Sequence, residues 1–150
     1  MRALVLVALA FFAVAFGASA ATLKDLVGRW TTELREEETF AGEPYNIRRQ
    51  IEVNRADGTK TVTFRFYDNC RMVGELVNHA TWGVTNKVYW MRCTSIEQGG
   101  RTTTCSTLQE HDIQAVDDKS LTYVSRARGT VYRHTRVDET FSLPGSACTS

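Results

Sequence analysis

Two prolines, Pro44 and Pro144, are all the chain has, and none interrupts the interval from Asn46 to Leu143. A ladder-breaking residue without a backbone N–H is therefore missing from most of the sequence. No Asn-x-Ser/Thr sequon is present, so no N-glycan is expected. No C-x-x-C or H-x-x-x-H pair occurs, which removes the usual zinc spacings. A G-x-S-x-G elbow is also missing, and Gly99-Gly100 lacks the Lys-Ser/Thr that would follow in a phosphate loop. The histidines, His79, His111 and His134, share no motif spacing and are expected at the surface or at loop edges. No catalytic residue, metal ligand or cofactor site is assigned, and the chain is read as a non-enzyme.

Long apolar runs are scarce too. Arg2 precedes one from Ala3 to Phe16, and small residues follow at Ala18 and Ala20. A charged start, an apolar middle and an A-x-A end describe a secretory signal peptide over 1–20, cleaved after Ala20. The run is shorter than the ~20 residues of a membrane-spanning helix, and no later stretch is longer. Removing Arg2 leaves equal numbers of basic and acidic residues. Such a balance gives no general case for nucleic-acid binding. Residues 21–150 have the length of one domain, expected to be secreted or periplasmic and monomeric. Cys70, Cys93, Cys105 and Cys148 suit the oxidising compartment that export implies, as two disulfides.

What the sequence does have is strand. Thr, Val, Tyr and Phe recur between Asn46 and Leu143, punctuated by Asp57-Gly58, Asn69, Asn86-Lys87, Gln98-Gly99-Gly100, Asp117-Asp118-Lys119 and Arg128-Gly129. Strands are expected at about 29–38, 46–54, 60–67, 74–84, 88–95, 102–110, 120–127 and 130–138, after a short helical turn at Leu23 to Val27. Alternation is clearest at Ile47, Arg49, Ile51, Val53 and at Val62, Phe64, Phe66, each set on one side of a sheet. Val88 to Met91 is apolar on both faces, which suits cover by a loop or a protein partner. Eight strands joined by short turns remove their exposed edges by closing. An all-β, eight-stranded antiparallel up-and-down barrel is the expected fold.

Leu26-Val27-Gly28-Arg29-Trp30 at the start, Ala80-Thr81-Trp82-Gly83-Val84 in the middle, and Ser120-Leu121-Thr122-Tyr123 with Val131-Tyr132-Arg133-His134-Thr135-Arg136-Val137 at the end carry a resemblance. In that order the chain resembles the small secreted lipocalin-like domains of the calycin superfamily. The resemblance implies that Trp30 plugs one end of the barrel and that Arg133 or Arg136 of the last strand lies across it, a structural lock. Cys93 and Cys105 stand symmetrically about Gly99 on one expected hairpin and should face each other. That leaves Cys70 for Cys148, and the resemblance implies the same, a C-terminal tail tied back to the barrel wall.

Function follows as an expectation from that fold. The aromatic residues Phe64, Phe66, Trp82, Trp90, Tyr123 and Tyr132 lie in strands, and those that point inward would line either a filled core or a cavity; in a cavity, at the end away from Trp30, they are the candidate lining of a site for a small apolar or amphipathic ligand. Thr32, Arg49 or Tyr132 would supply polar groups that fix orientation. A second reading is a protein-interaction or hydrolase-inhibitor barrel, acting through Val88 to Met91 and the loop at Gly42 to Tyr45. The acidic residues Glu33, Glu36, Glu37, Glu38 and Glu43 are expected to pair with the basic segment Lys119 to Arg136 where first and last strands meet, the other reading of that segment being a basic mouth for an anionic ligand or a lipid headgroup.

Overall fold

The computed structural model describes residues 21–148, so the signal-peptide reading of 1–20 lies outside the described residues. A four-residue helix α1, Leu23–Leu26, begins at a capping box in which Thr22 and Asp25 satisfy each other's backbone and side-chain groups. Nine strand segments follow: β1 (Gly28–Phe40), β2 (Glu43–Asn54), β3 (Thr59–Asp68), β4 (Arg71–Thr85), β5 (Val88–Gln98), β6 (Arg101–Thr104), β7 (Leu108–Val116), β8 (Ser120–Ser125) and β9 (Val131–Arg136). All pairings are antiparallel.

Eight of these strands close the barrel in up-and-down order, with β5 pairing to β4 on one side and β7 on the other. The short β6 pairs with the far end of β5, and the chain steps from it into β7. Sequence alone reads β6 and β7 as one strand; the break falls at Cys105, whose bond to Cys93 staples the projecting hairpin. No helix among the described residues is long and apolar enough to cross a membrane.

The closed end is an apolar plug. Leu26, Trp30, Val62, Trp82, Tyr89, Met91, Leu121 and Tyr123 form one buried cluster. Trp30 donates its indole N–H to the Leu26 carbonyl at 2.9 Å, and the Arg136 guanidinium carbon sits 4.1 Å from its ring centroid. Arg136 also donates to the carbonyls of Val27, Asp25 and Asp118. Cation–π attraction thus adds to three hydrogen bonds. Gly28 is required beside it: its φ is +138°, and a Cβ there would meet the Arg136 Nη1 at 2.2 Å. Arg133 is not the partner, because it points outward and is exposed.

β1 meets β9 at Trp30↔Arg136 and Thr31↔Thr135. This short contact leaves only one pair, Glu38 with Arg128, of the expected closure by opposite charges. The acidic stretch of β1 pairs mainly with its hairpin neighbour β2, in Glu36–Arg48 and Glu33–Arg49. Hairpin register sets Glu33 opposite Arg49, and the irregularity after Arg35 lets Glu36 reach Arg48; of the basic segment, Arg128 pairs with Glu38 at 3.9 Å.

The second layer is outside the barrel. After β9 the chain turns at Asp138, whose carboxylate accepts from Thr140 and Phe141. It then runs across the outer face of β1, β2 and β3. A segment outside the ladders must satisfy its carbonyls elsewhere, and four side chains do this. Arg29 donates to Phe141 O, Arg65 to Leu143 O, Tyr67 to Pro144 O and Arg49 to Ala147 O. The Cys70–Cys148 disulfide ties down the end. Both disulfides pair as expected from the sequence.

Candidate functional site

Register decides what the interior contains. Trp30 faces Glu52 across β1 and β2, and Thr32 faces Gln50, so the inward residues of β2 are Arg48, Gln50, Glu52 and Asn54. Opposite them on β3 stand Phe66, Phe64, Val62 and Lys60. Ile47, Arg49, Ile51 and Val53 therefore face outward. Arg49, expected inside, lies on the outer wall at 2.8 Å from Glu33.

Just above the plug lies an ionic layer that the sequence does not advertise. Glu52 and Lys60 are both almost wholly buried and form an ion pair through Oε2. Around the same carboxylate, Oε1 accepts from Gln50 Nε2 at 2.7 Å, Tyr123 O–H at 2.7 Å and His134 Nε2 at 3.0 Å. Lys60 also donates to Tyr89, whose hydroxyl lies 3.4 Å from Glu52 Oε2. Burial pushes the Glu52 carboxyl up, but the charges and hydrogen bonds of Lys60 and His134 outweigh it and hold the group well below the usual carboxylate range. Glu52 is thus an ionised carboxylate saturated with donors.

Over this layer opens a cavity of about 580 Å³. Its floor is Gln50, Glu52, His111, Tyr123 and Ser125, all buried; its sides are Val62, Phe64, Met91 and Tyr132; its rim carries Leu108, Glu110, Arg126 and Arg128. Tyr123, His111 and Tyr132 form an aromatic corner, with ring centroids 4.7 to 5.8 Å apart. Among the described residues, neither ring nitrogen of His111 has a partner, nor does Gln50 Oε1. Burial pushes the imidazole down to about 4, so it is neutral at neutral pH.

Of the six aromatic candidates, Phe64, Tyr123 and Tyr132 line this cavity. Phe66 does not: it is buried in a stack with Phe40, 4.1 Å between centroids, and Tyr45. Trp82 belongs to the plug and donates to the Arg55 carbonyl. Trp90 faces outward and lies over Gly83, because on β5 it is Tyr89 and Met91 whose register points inward. Thr32 is spent on a hydrogen bond to Arg133 O.

Glu52, Lys60 and Gln50 were not singled out by sequence. The surface reading holds for His79, which is partly exposed at 2.8 Å from Glu97, and fails for His111 and His134, at 4% and 2% exposure. One signal was available. Counting back from Trp30 through the β1–β2 hairpin places Glu52 beside the indole, and so inside. No family model matches the chain, and no curated protein matches it.

Proposed function

We propose that this chain is a secreted or periplasmic lipocalin-like barrel that binds one small amphipathic ligand and does not transform it. The cavity of about 580 Å³ carries the reading: apolar sides with a few convergent polar groups are the usual composition of a small-molecule site. Closure of the other end by Trp30 and Arg136 leaves one mouth. Binding is favoured over catalysis because Glu52, the strongest base candidate at the floor, already accepts from its neighbours and has been stripped of basicity by Lys60 and His134. The outward Val88 and Trp90, which suggested a protein partner, are half-buried by the chain's own packing and lend that reading no further support.

Titration with the environment-sensitive dye N-phenyl-1-naphthylamine tests the proposal. Saturable binding of one dye per chain is expected, weakened about tenfold by Phe64→Ala through lost apolar contact and unchanged by Trp90→Ala on the outside. Unsaturable fluorescence, or equal losses in the two variants, would reject it.

A further inference from the structure

The deep end of the cavity has a more specific chemistry than its apolar sides. Gln50 is 3% exposed and His111 is 4% exposed, and both line the floor. Gln50 Nε2 is engaged with Glu52, which leaves Oε1, an acceptor, without a protein partner. His111 offers two ring nitrogens without protein partners, one donor and one acceptor in the neutral ring. Such groups hydrogen-bond to water in the free protein or to a ligand in the bound one. A ligand that displaces the water without replacing its bonds loses affinity.

We infer that the cavity takes its ligand with an uncharged hydroxyl at the buried end, received by His111 and Gln50, and with the chain's other end at the arginine-bearing rim. This rests on the binding reading above and specifies its ligand. A hydroxyl both donates and accepts, which matches one acceptor amide oxygen and an imidazole that has one nitrogen of each kind. A carboxylate at that depth would face the Gln50 oxygen and the ionised Glu52, and the two inward cations near it are already paired, Lys60 with Glu52 and Arg48 of the cavity wall with Glu36 at 3.0 Å. An ammonium would be buried near Lys60 with no free anion. Either charge would lose its hydration against a floor whose own charges are satisfied.

At the rim the balance is different. Arg128 is 66% exposed and its nearest carboxylate, Glu38, is 3.9 Å away, while Arg126 is held by Asp112 at 2.7 Å and by Glu110. An anionic outer end is tolerated there and remains in contact with water.

Displacement of N-phenyl-1-naphthylamine by dodecanoic acid and by ω-hydroxydodecanoic acid isolates the buried hydroxyl, because the two probes share chain length and carboxylate. The hydroxy acid should bind at least about tenfold more tightly, the scale on which a site built to pair a hydroxyl discriminates against its absence. In Gln50→Leu and, separately, His111→Phe the ratio should fall to within about twofold, because the hydroxy acid loses the partners that distinguish it from dodecanoic acid. Circular dichroism and a retained dye signal confirm that each variant is folded. The wild-type ratio alone decides if a variant fails to fold. A wild-type ratio near one, with both acids bound, overturns the hydroxyl assignment and leaves the binding reading standing. A preference that survives in both folded variants overturns the assignment to these residues. If neither acid displaces dye and the dye itself does not bind, both fail.

Discussion

The two faces of β2 invert the usual division of a barrel wall. Its inward residues, Arg48, Gln50, Glu52 and Asn54, are polar, and its outward set contains Ile47, Ile51 and Val53. In an antiparallel sheet with one wet face the reverse is expected. The inversion is stable because each face is provided for separately. Inside, Glu52 is matched by Lys60, Gln50, Tyr123 and His134. Outside, the 138–148 segment covers the apolar face, and Ile51, Tyr67 and Leu143 are buried there. A polar interior is then available to recognise something, at the expense of a second layer that must be tied in place.

Breaking the tie has the largest expected effect. Cys70 and Cys148 are 78 residues apart in sequence, and the chain-entropy model assigns closure of such a loop about 4.5 kcal/mol. A Cys70→Ser/Cys148→Ser double variant should lose stability on that scale in urea unfolding. Its loss should exceed that of a Cys93→Ser/Cys105→Ser variant, whose loop spans 12 residues. Equal losses would mean that the tail contributes little to the outer face.

On the inner face, Glu52→Gln leaves the Lys60 ammonium buried without its counter-charge. Removing one partner of a buried pair costs about 3–5 kcal/mol, while replacing both by apolar residues of similar size is often neutral. The single variant should therefore unfold at markedly lower urea, and Glu52→Leu/Lys60→Met should recover most of the difference. Failure of the double variant to recover would show that Gln50, Tyr123 and His134 depend on the carboxylate as much as Lys60 does.

The legibility of this molecule divides along the same line as its two faces. Strand positions and the Cys93–Cys105 bond were readable, because turn residues and a cysteine pair centred on Gly99 are local signals, while the plug at Trp30 and the Cys70–Cys148 bond followed from the resemblance and from the cysteines left over. The contents of the cavity were not. Alternation at Ile47, Ile51 and Val53 identifies one face of β2 but not which side of the wall it occupies; only the register to Trp30 does, together with a tail that covers the outside. Lys60 and Glu52 are eight positions apart and read as ordinary surface charges until the hairpin brings them together. Trp90 illustrates the converse. An aromatic in a strand apolar on both faces carries no mark of direction, and Gly83, which leaves space for it outside, is its only local hint.

Acid should separate the cavity floor from the rest of the fold. His111 titrates at about 4 when buried, against about 6.5 unperturbed, chiefly through burial; Lys60 and His134 push the same way, and Glu52 and Asp112 oppose them. The unfolded chain therefore binds the proton first, and stability is lost as pH falls from about 6.5 toward 4. A shift of that size corresponds to about 3 kcal/mol at full development. Glu52, lowered instead, loses its contribution only below its ordinary value of 4.5, so measurements between pH 7 and 4.5 separate His111 from that carboxylate. His111→Phe should flatten the wild-type slope of unfolding free energy across that interval. An unchanged slope would assign the acid sensitivity to other groups.

The smallest effect is the sharpest test of the comparison, because it sets one ion pair against another on opposite faces of the same strand. Arg49 and Glu33 approach to 2.8 Å with side chains 19% and 34% exposed; Lys60 and Glu52 are both at or below 2%. If proximity alone set the energy, the two would respond alike. Solvent decides otherwise: Glu33 keeps water when its partner is removed, so no buried charge is stranded, and exposed pairs contribute about 0–1 kcal/mol. Arg49 also lies 5.6 Å from the Tyr67 ring centroid and donates to Ala147 O, and Met retains much of the packing while losing both polar contacts. Arg49→Met should therefore cost about 1 kcal/mol in urea unfolding, several-fold less than Glu52→Gln. A loss as large as that of Glu52→Gln would mean that the tail seals the outer wall as dry as the interior, and that β2 has two cores rather than one.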